Sequence, residues 1–237
     1  YRVEYYHQFG DGALLAASSD QAAAYATAAT QNSNIDRDAY LFGIRVGKTF
    51  KNARFSPTIT LWYDNKSGQD DDDVNGNDYG AFHTVLDTGH KFYGLLDNYL
   101  SDIGDDTQRY GLQDIAIKAK FQVSDKNVFK VDWHQFLTQT DLEGNDSDTI
   151  RAAGGGAFGT SHGTGALGND LGQEIDLTLV HKYDANTKIV TGYSHYFTTL
   201  THSLLNGSGT VGANGGDNTA DNNMDQSWFY VMIDTTF

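Results

Sequence analysis

Short and long connections alternate without exception along this chain, and that alternation restricts the fold more than any motif. Eight segments of alternating apolar and polar residues run at about 1–9, 38–50, 54–64, 112–123, 127–138, 173–183, 187–197 and 227–237. Three of the connections are tight: Lys51–Ala53, Ser124–Lys126 and Asp184–Asn186. The other four, about 10–37, 65–111, 139–172 and 198–226, are long. Antiparallel strands joined in this way collect every tight turn at one end and every long loop at the other. Transmembrane β-barrels of the bacterial outer membrane have that asymmetry. Soluble domains rarely hold several loops beyond about 15 residues. The segments are also roughly 9–13 residues long, near or above the 9–11 that a tilted strand needs to cross a bilayer. Ordinary strands run about 5–6 residues.

The two faces of the segments differ in chemistry. In 112–123, Ile115, Ile117, Ala119, Phe121 and Val123 share one face, opposite Asp114, Lys118, Lys120 and Gln122. In 127–138, Phe129, Val131, Trp133 and Leu137 oppose Lys130, Asp132 and His134. In 173–183, Ile175, Leu177 and Leu179 oppose Glu174, Asp176 and Lys182. Tyr40, Phe42, Ile44 and Val46 oppose Arg45, and Phe55, Ile59, Leu61 and Tyr63 oppose Arg54, Thr58, Thr60 and Asp64. Bulky apolar residues on one face and mid-strand charges on the other fit a lipid-facing wall around a wet lumen. A soluble sandwich alternates too, so the pattern favours the barrel without excluding the sandwich. Segment 187–197 gives no clear choice between Ile189, Tyr193 and Phe197 on one side and Val190, Gly192 and Tyr196 on the other. Phe50, Phe55, Tyr63, Tyr110, Phe121, Phe129 and Tyr183 fall near strand ends, where interfacial aromatic belts lie.

Composition supports strands and polar loops. The chain has 237 residues, a net charge of −15, 26 Gly, one Pro and no Cys. Glu4, Glu143 and Glu174 are its only glutamates; every other acid is Asp, which favours turns over helices and strands. The negative charge argues against nucleic acid as a partner. The lack of Cys removes disulfides, thiolate metal sites and thiol nucleophiles.

Four segments together resemble the alginate export family of outer-membrane porins. They are Tyr5-Tyr-His-Gln-Phe-Gly-Asp11, His90-Lys-Phe-Tyr-Gly94, Leu171-Gly-Gln-Glu-Ile-Asp-Leu177 and Gly192-Tyr-Ser-His-Tyr-Phe197. The last strand places Phe229, Val231, Ile233, Thr235 and Phe237 on one face, and its terminal Phe looks like the assembly signal of outer-membrane proteins. The resemblance implies an all-β antiparallel transmembrane barrel in the bacterial outer membrane. Residues 1–237 would form one domain, an N-terminally incomplete C-terminal part of a barrel of 16–18 strands, with about eight strands in this chain. A closed eight-strand barrel, structural or adhesive and without a wide pore, is the alternative; its interior would be nearly filled by side chains. A secreted sugar-binding β-sandwich is a further alternative.

On the barrel reading, the pore-lining charges are Arg2, Glu4, Arg45, Arg54, Asp64, Asp114, Lys118, Lys120, Lys130, Asp132, Glu174, Asp176, Lys182 and Asp234. Acids and bases balance among them, so the net charge belongs to loops, turns and strand ends. Lys118, Lys120 and Lys130 around Asp132 form a locally basic strip. A dedicated exporter of a polyanion should have a strongly basic lumen, and this wall is balanced. The expected role is therefore passive diffusion of small hydrophilic solutes, anionic saccharides or organic acids among them. Expected partners are outer-membrane lipid and lipopolysaccharide, and the subunit number stays open.

Two loop features stand out. The stretch 64–106 carries eleven Asp. Within it Asp71, Asp73 and Asn75, followed by Gly76, match the first half of a calcium loop, but its twelfth position is Phe82 instead of a bidentate Glu. A solvated acidic loop is the simpler reading, and no other cofactor is implied. In the same loop His90, Lys91, Phe92 and Tyr93 begin an apolar patch that must bury against something. It is expected to fold onto the barrel mouth or into the lumen and narrow the pore. Residues 19–30 are Ala-rich and favour a short helix.

No enzyme is implied. The Gly-x-Gly-x-x-Gly matches at Gly154 and Gly163 lie in a glycine-rich loop outside any βαβ unit. Ser194 and His195 are sequence neighbours on a strand, so they point to opposite faces.

Overall fold

A computed structural model describes residues 1–13, 34–68, 78–84, 92–99, 107, 110–140, 168–199, 201–202 and 225–236. It contains nine strands: β1 (Arg2–Ala13), β2 (Asn34–Thr49), β3 (Thr58–Lys66), β4 (Asp78–Tyr79), β5 (Leu112–Gln122), β6 (Asn127–Leu137), β7 (Asp170–Lys182), β8 (Thr187–Thr198) and β9 (Gln226–Thr235). The eight long strands form one antiparallel sheet in the order β1-β2-β3-β5-β6-β7-β8-β9. Each long strand lies beside the next long strand in sequence, across tight and long connections alike. The short β4, which alternation did not reveal, pairs in parallel with β2 through Asp36 and Arg37. β1 and β9 are the two ends of the path. Among the described residues no helix is long and apolar enough to cross a membrane, which does not bear on strands.

Two of the tight turns are as short as the sequence implies. Val123 N–H bonds to Asn127 O, and Tyr183 N–H to Thr187 O. Asp184 completes the second turn by accepting the N–H groups of Asn186 and Thr187, both at 2.8 Å. Those bonds hold its carboxyl below the ordinary value.

The β2–β3 connection is longer than the sequence implies. It spans residues 50–57, closed by Phe50 N–H on Pro57 O, and Phe55 and Ser56 take positive φ values of 64° and 41°. Arg54 therefore does not line a strand. It is an exposed turn residue whose guanidinium sits 4.6 Å from the Phe55 ring centroid.

Register fixes which side chains share a face. Lys118 lies opposite Asp132, Asp132 opposite Asp176, and Asp176 opposite Ser194. Opposed residues project to the same side. One face therefore carries the even positions of β1, β3 and β5–β9 and the odd positions of β2. The segment 92–99 packs on it, so it is called the covered face; the other is the bare face.

An apolar core forms between the covered face and that segment: Tyr93, Tyr99, Tyr110, Leu112, Phe136, Leu171 and Tyr196, with Phe92 and Leu96 against them. A β-bulge in β7 adds Leu171 to this core. Phe136 pairs with Gly172 and Leu137 with Asp170, which leaves Leu171 as the extra residue. Tyr196 Oη donates to the Leu171 carbonyl at 2.6 Å.

Candidate functional site

The bare face is built from bulky apolar side chains that no described segment covers. Leu61, Ile117, Leu179 and Val231 are each more than two-fifths exposed in mid-strand. Strand β8 joins this pattern. Its pairing with β7 and β9 puts Val190, Gly192, Ser194 and Tyr196 on the covered face, and Ile189, Tyr193 and Phe197 on the bare one. Ser194 and His195 do point apart, and His195 bonds to Ser227 across the bare face.

The covered face carries paired charges. Gly43 of β2 lies directly between Glu4 of β1 and Asp64 of β3. A Cβ at Gly43 would come within 2.7 Å of Asp64 Oδ1, so glycine leaves space for both carboxylates to meet Arg45. Arg45 donates from Nη2 to both Asp64 oxygens at 3.0 Å and from Nη1 to Glu4. Its guanidinium lies 3.8 Å from the centroid of Trp62, which is directly opposite it in the register. Arg2 completes the group by pairing with Glu4.

A second group crosses β5, β6 and β7. Lys118 Nζ lies 3.6 Å from Asp132. His134 Nδ1 is 2.8 Å from Asp114, and its Nε2 is 3.9 Å from Asp176. Phe136 stacks on the His134 ring. Asp114, His134, Glu174 and Asp176 are all buried. Towards the tight-turn end Lys120 lies opposite Lys130, and Lys182 opposite Lys188. Lys188 bonds to Asp234 at 2.7 Å. The covered face is thus acidic in its middle and basic near the turns.

The segment 92–99 crosses this face. Phe92 packs on Trp62 at 5.8 Å, and Tyr93 lies under Lys66 Nζ at 4.8 Å. Burial pushes the Tyr93 phenol up, so it stays protonated. The N–H groups of Leu95 and Leu96 donate to Glu174 Oε1 at 2.7 and 2.9 Å. Tyr99 Oη meets Tyr196 Oη and also lies 2.9 Å from His202 Nδ1. Burial lowers the His202 pKa from 6.5 to about 4, so it is neutral near pH 7. A cavity of about 320 Å3 opens between β1–β3 and this segment, lined by Arg2, Glu4, Tyr6, Arg45, Phe82 and Phe92 among others.

The structure thus brings Arg2, Glu4, Arg45 and Asp64 into one group, and Lys118, Asp132, Glu174 and Asp176 into the other. Lys120, Lys130, Lys182 and Asp234 stand on the same face towards the turns. Phe92 and Tyr93 lie against that face. His90, Lys91, Asp71, Asp73, Asn75, Phe237 and segment 19–30 fall outside the described residues. Sequence reasoning missed Lys188, because the parity of β8 was ambiguous and its partner Asp234 is 46 residues away. It also missed the Trp62 platform and the backbone N–H groups on Glu174, which leave no mark in a residue pattern.

Among the described residues no three His, Asp or Glu side chains converge to hold a metal ion. What the arrangement does present is a charged face crossed by segment 92–99. The family model described as "Alginate export" matches residues 1–199, most of the chain. The chain belongs to the alginate export family, a family of membrane transport proteins and not of enzymes. Comparison with curated proteins gives no match.

Proposed function

We propose that this chain forms part of the wall of an outer-membrane β-barrel channel. The bare face meets lipid, the covered face lines the lumen, and segment 92–99 narrows the passage. The observation that carries this reading is the inversion of the sheet, with apolar side chains exposed on one face and ion pairs buried on the other. In water that arrangement leaves a large apolar surface unsatisfied; in a bilayer it is the stable one. The strands, 9–16 residues long, reach across a bilayer when tilted. Because β1 and β9 are separate ends of the sheet, an arc of a larger barrel, of about 16–18 strands as the resemblance implies, is favoured over a closed eight-strand one. An intact mass near 26 kDa for the purified protein would reject the larger barrel.

The solutes proposed are small and hydrophilic and move by passive diffusion. Anionic saccharides and organic acids are favoured by Lys120, Lys130, Lys182 and Lys188 near one mouth, where a basic rim concentrates anions. Asp71, Asp73 and Asn75 remain a proposed calcium contact, and lipopolysaccharide a proposed neighbour. Planar-bilayer conductance with reversal potentials tests the channel. The expected result is steady conductance with a modest anion preference; a folded protein that carries no current would reject the reading. Solubility without detergent would favour the sugar-binding sandwich.

A further inference from the structure

Glu174 takes hold of segment 92–99 by its backbone. Phe92 and Tyr99 hold it through side chains: Phe92 packs on Trp62, Tyr99 packs on Phe136 at 4.7 Å, and Tyr99 Oη meets Tyr196 and His202. At Glu174 its backbone is held by a single carboxylate oxygen, which accepts two successive N–H groups, Leu95 at 2.7 Å and Leu96 at 2.9 Å. The chain turns to allow this. Tyr93, Gly94 and Asp97 take positive φ values of 58°, 84° and 59°. Successive N–H groups turned towards one oxygen form a nest, which holds the backbone at two points in a row. Gly94 lies directly against the carboxylate, and a Cβ added there would collide with it. Glu174 itself is fully buried, and its own strand holds it at the level of His134 and Tyr196. Nothing in the apolar core requires a carboxylate here. An apolar side chain would extend the Tyr99–Phe136–Tyr196 packing without the cost of burying a polar group.

We propose that Glu174 is a latch: a positioning residue that holds segment 92–99 across the covered face and so sets the width of the passage. The claim about width rests on the channel reading above; the claim about anchoring does not. The latch acts at the middle of the segment, between its two aromatic anchors. Released there, the segment stays attached through Phe92 and Tyr99 but bows away from the wall.

Two measurements on the detergent-folded full chain separate these claims. One is amide hydrogen exchange at Leu95 and Leu96; the other is single-channel conductance. Glu174→Ala should speed exchange at both amides by about ten-fold, because each loses its hydrogen bond to Oε1. It should also change the unit conductance about two-fold, with the altered constriction. Glu174→Gln keeps a side-chain oxygen that can accept both bonds, so it should restore protection and conductance towards wild type. Gly94→Ala tests the latch from the other side and should mimic Glu174→Ala, which covers the case in which the buried substitution does not fold. Unchanged exchange in both disruptive variants overturns the latch. Faster exchange with unchanged conductance overturns its control of width. Faster exchange in a wild-type background that carries no current overturns the channel reading and the width claim, and supports the anchor.

Discussion

Leu61, Ile117 and Val231 on the bare face are 57, 45 and 59% exposed, whereas Asp114, His134 and Glu174 on the opposite face are fully buried. A water-soluble sheet packs the first set and exposes the second. Here Asp114 and His134 meet each other across the sheet and Glu174 meets segment 92–99, while no described segment covers the apolar groups. The comparison teaches that register, more than hydrophobicity, decides what is interior. Directly opposed positions set Lys118 beside Asp132, and Gly43 between Glu4 and Asp64 lets both carboxylates reach Arg45.

The most severe break in this contrast is Arg45→Ala. It strands the buried Asp64 without its cation and leaves Glu4 only Arg2, and removing one partner of a buried ion pair costs about 3–5 kcal/mol. The urea midpoint of the detergent-folded protein should fall accordingly; an unchanged midpoint would mean that the pair is solvated. The bare face is probed by Ile117→Arg, at the middle of β5. In lipid vesicles it should cost about 2–4 kcal/mol, as charges at a bilayer midplane do. A cost near zero would show that the face is not in lipid. Lys130→Ala, on the covered face near the turns, should change stability little and shift ion selectivity.

A gentler effect comes from His202, at the edge of the covered face. Its folded pKa, about 4, lies below its ordinary 6.5. The unfolded or undocked chain therefore binds the proton more readily, and stability falls as pH drops from 6.5 towards 4. Exchange protection at Tyr99 should fade over that window, where His202→Asn should flatten the dependence. A wild-type profile with no change between pH 7 and 4 would refute the role of this buried imidazole.

Much of this architecture can be read directly from alternation. The charged and apolar faces of β5, β6 and β7 are set by side-chain parity, since a strand sends successive residues to opposite sides. Parity fails where the chain departs from a plain strand. Arg54 reads as a strand residue, but Phe55 and Ser56 take left-handed backbone and delay β3 to Thr58. β8 is ambiguous alone because Gly192 and Ser194 sit where larger residues would declare a face. Its neighbours decide: the Tyr230 ring lies over Gly192 and fills the space that a side chain would take. The bulge that turns Leu171 inward is likewise a property of the pair β6–β7 and not of β7.

The sequence by itself determined the long strands, the order of tight and long connections, and the division of charge from apolar surface, because these follow from local periodicity and turn chemistry. Only the tertiary structure decided which opposite charges pair, where segment 92–99 comes to rest, and that one carboxylate, Glu174, takes hold of its backbone. Those outcomes depend on strand register and on N–H groups that every residue carries alike, so no residue pattern can announce them.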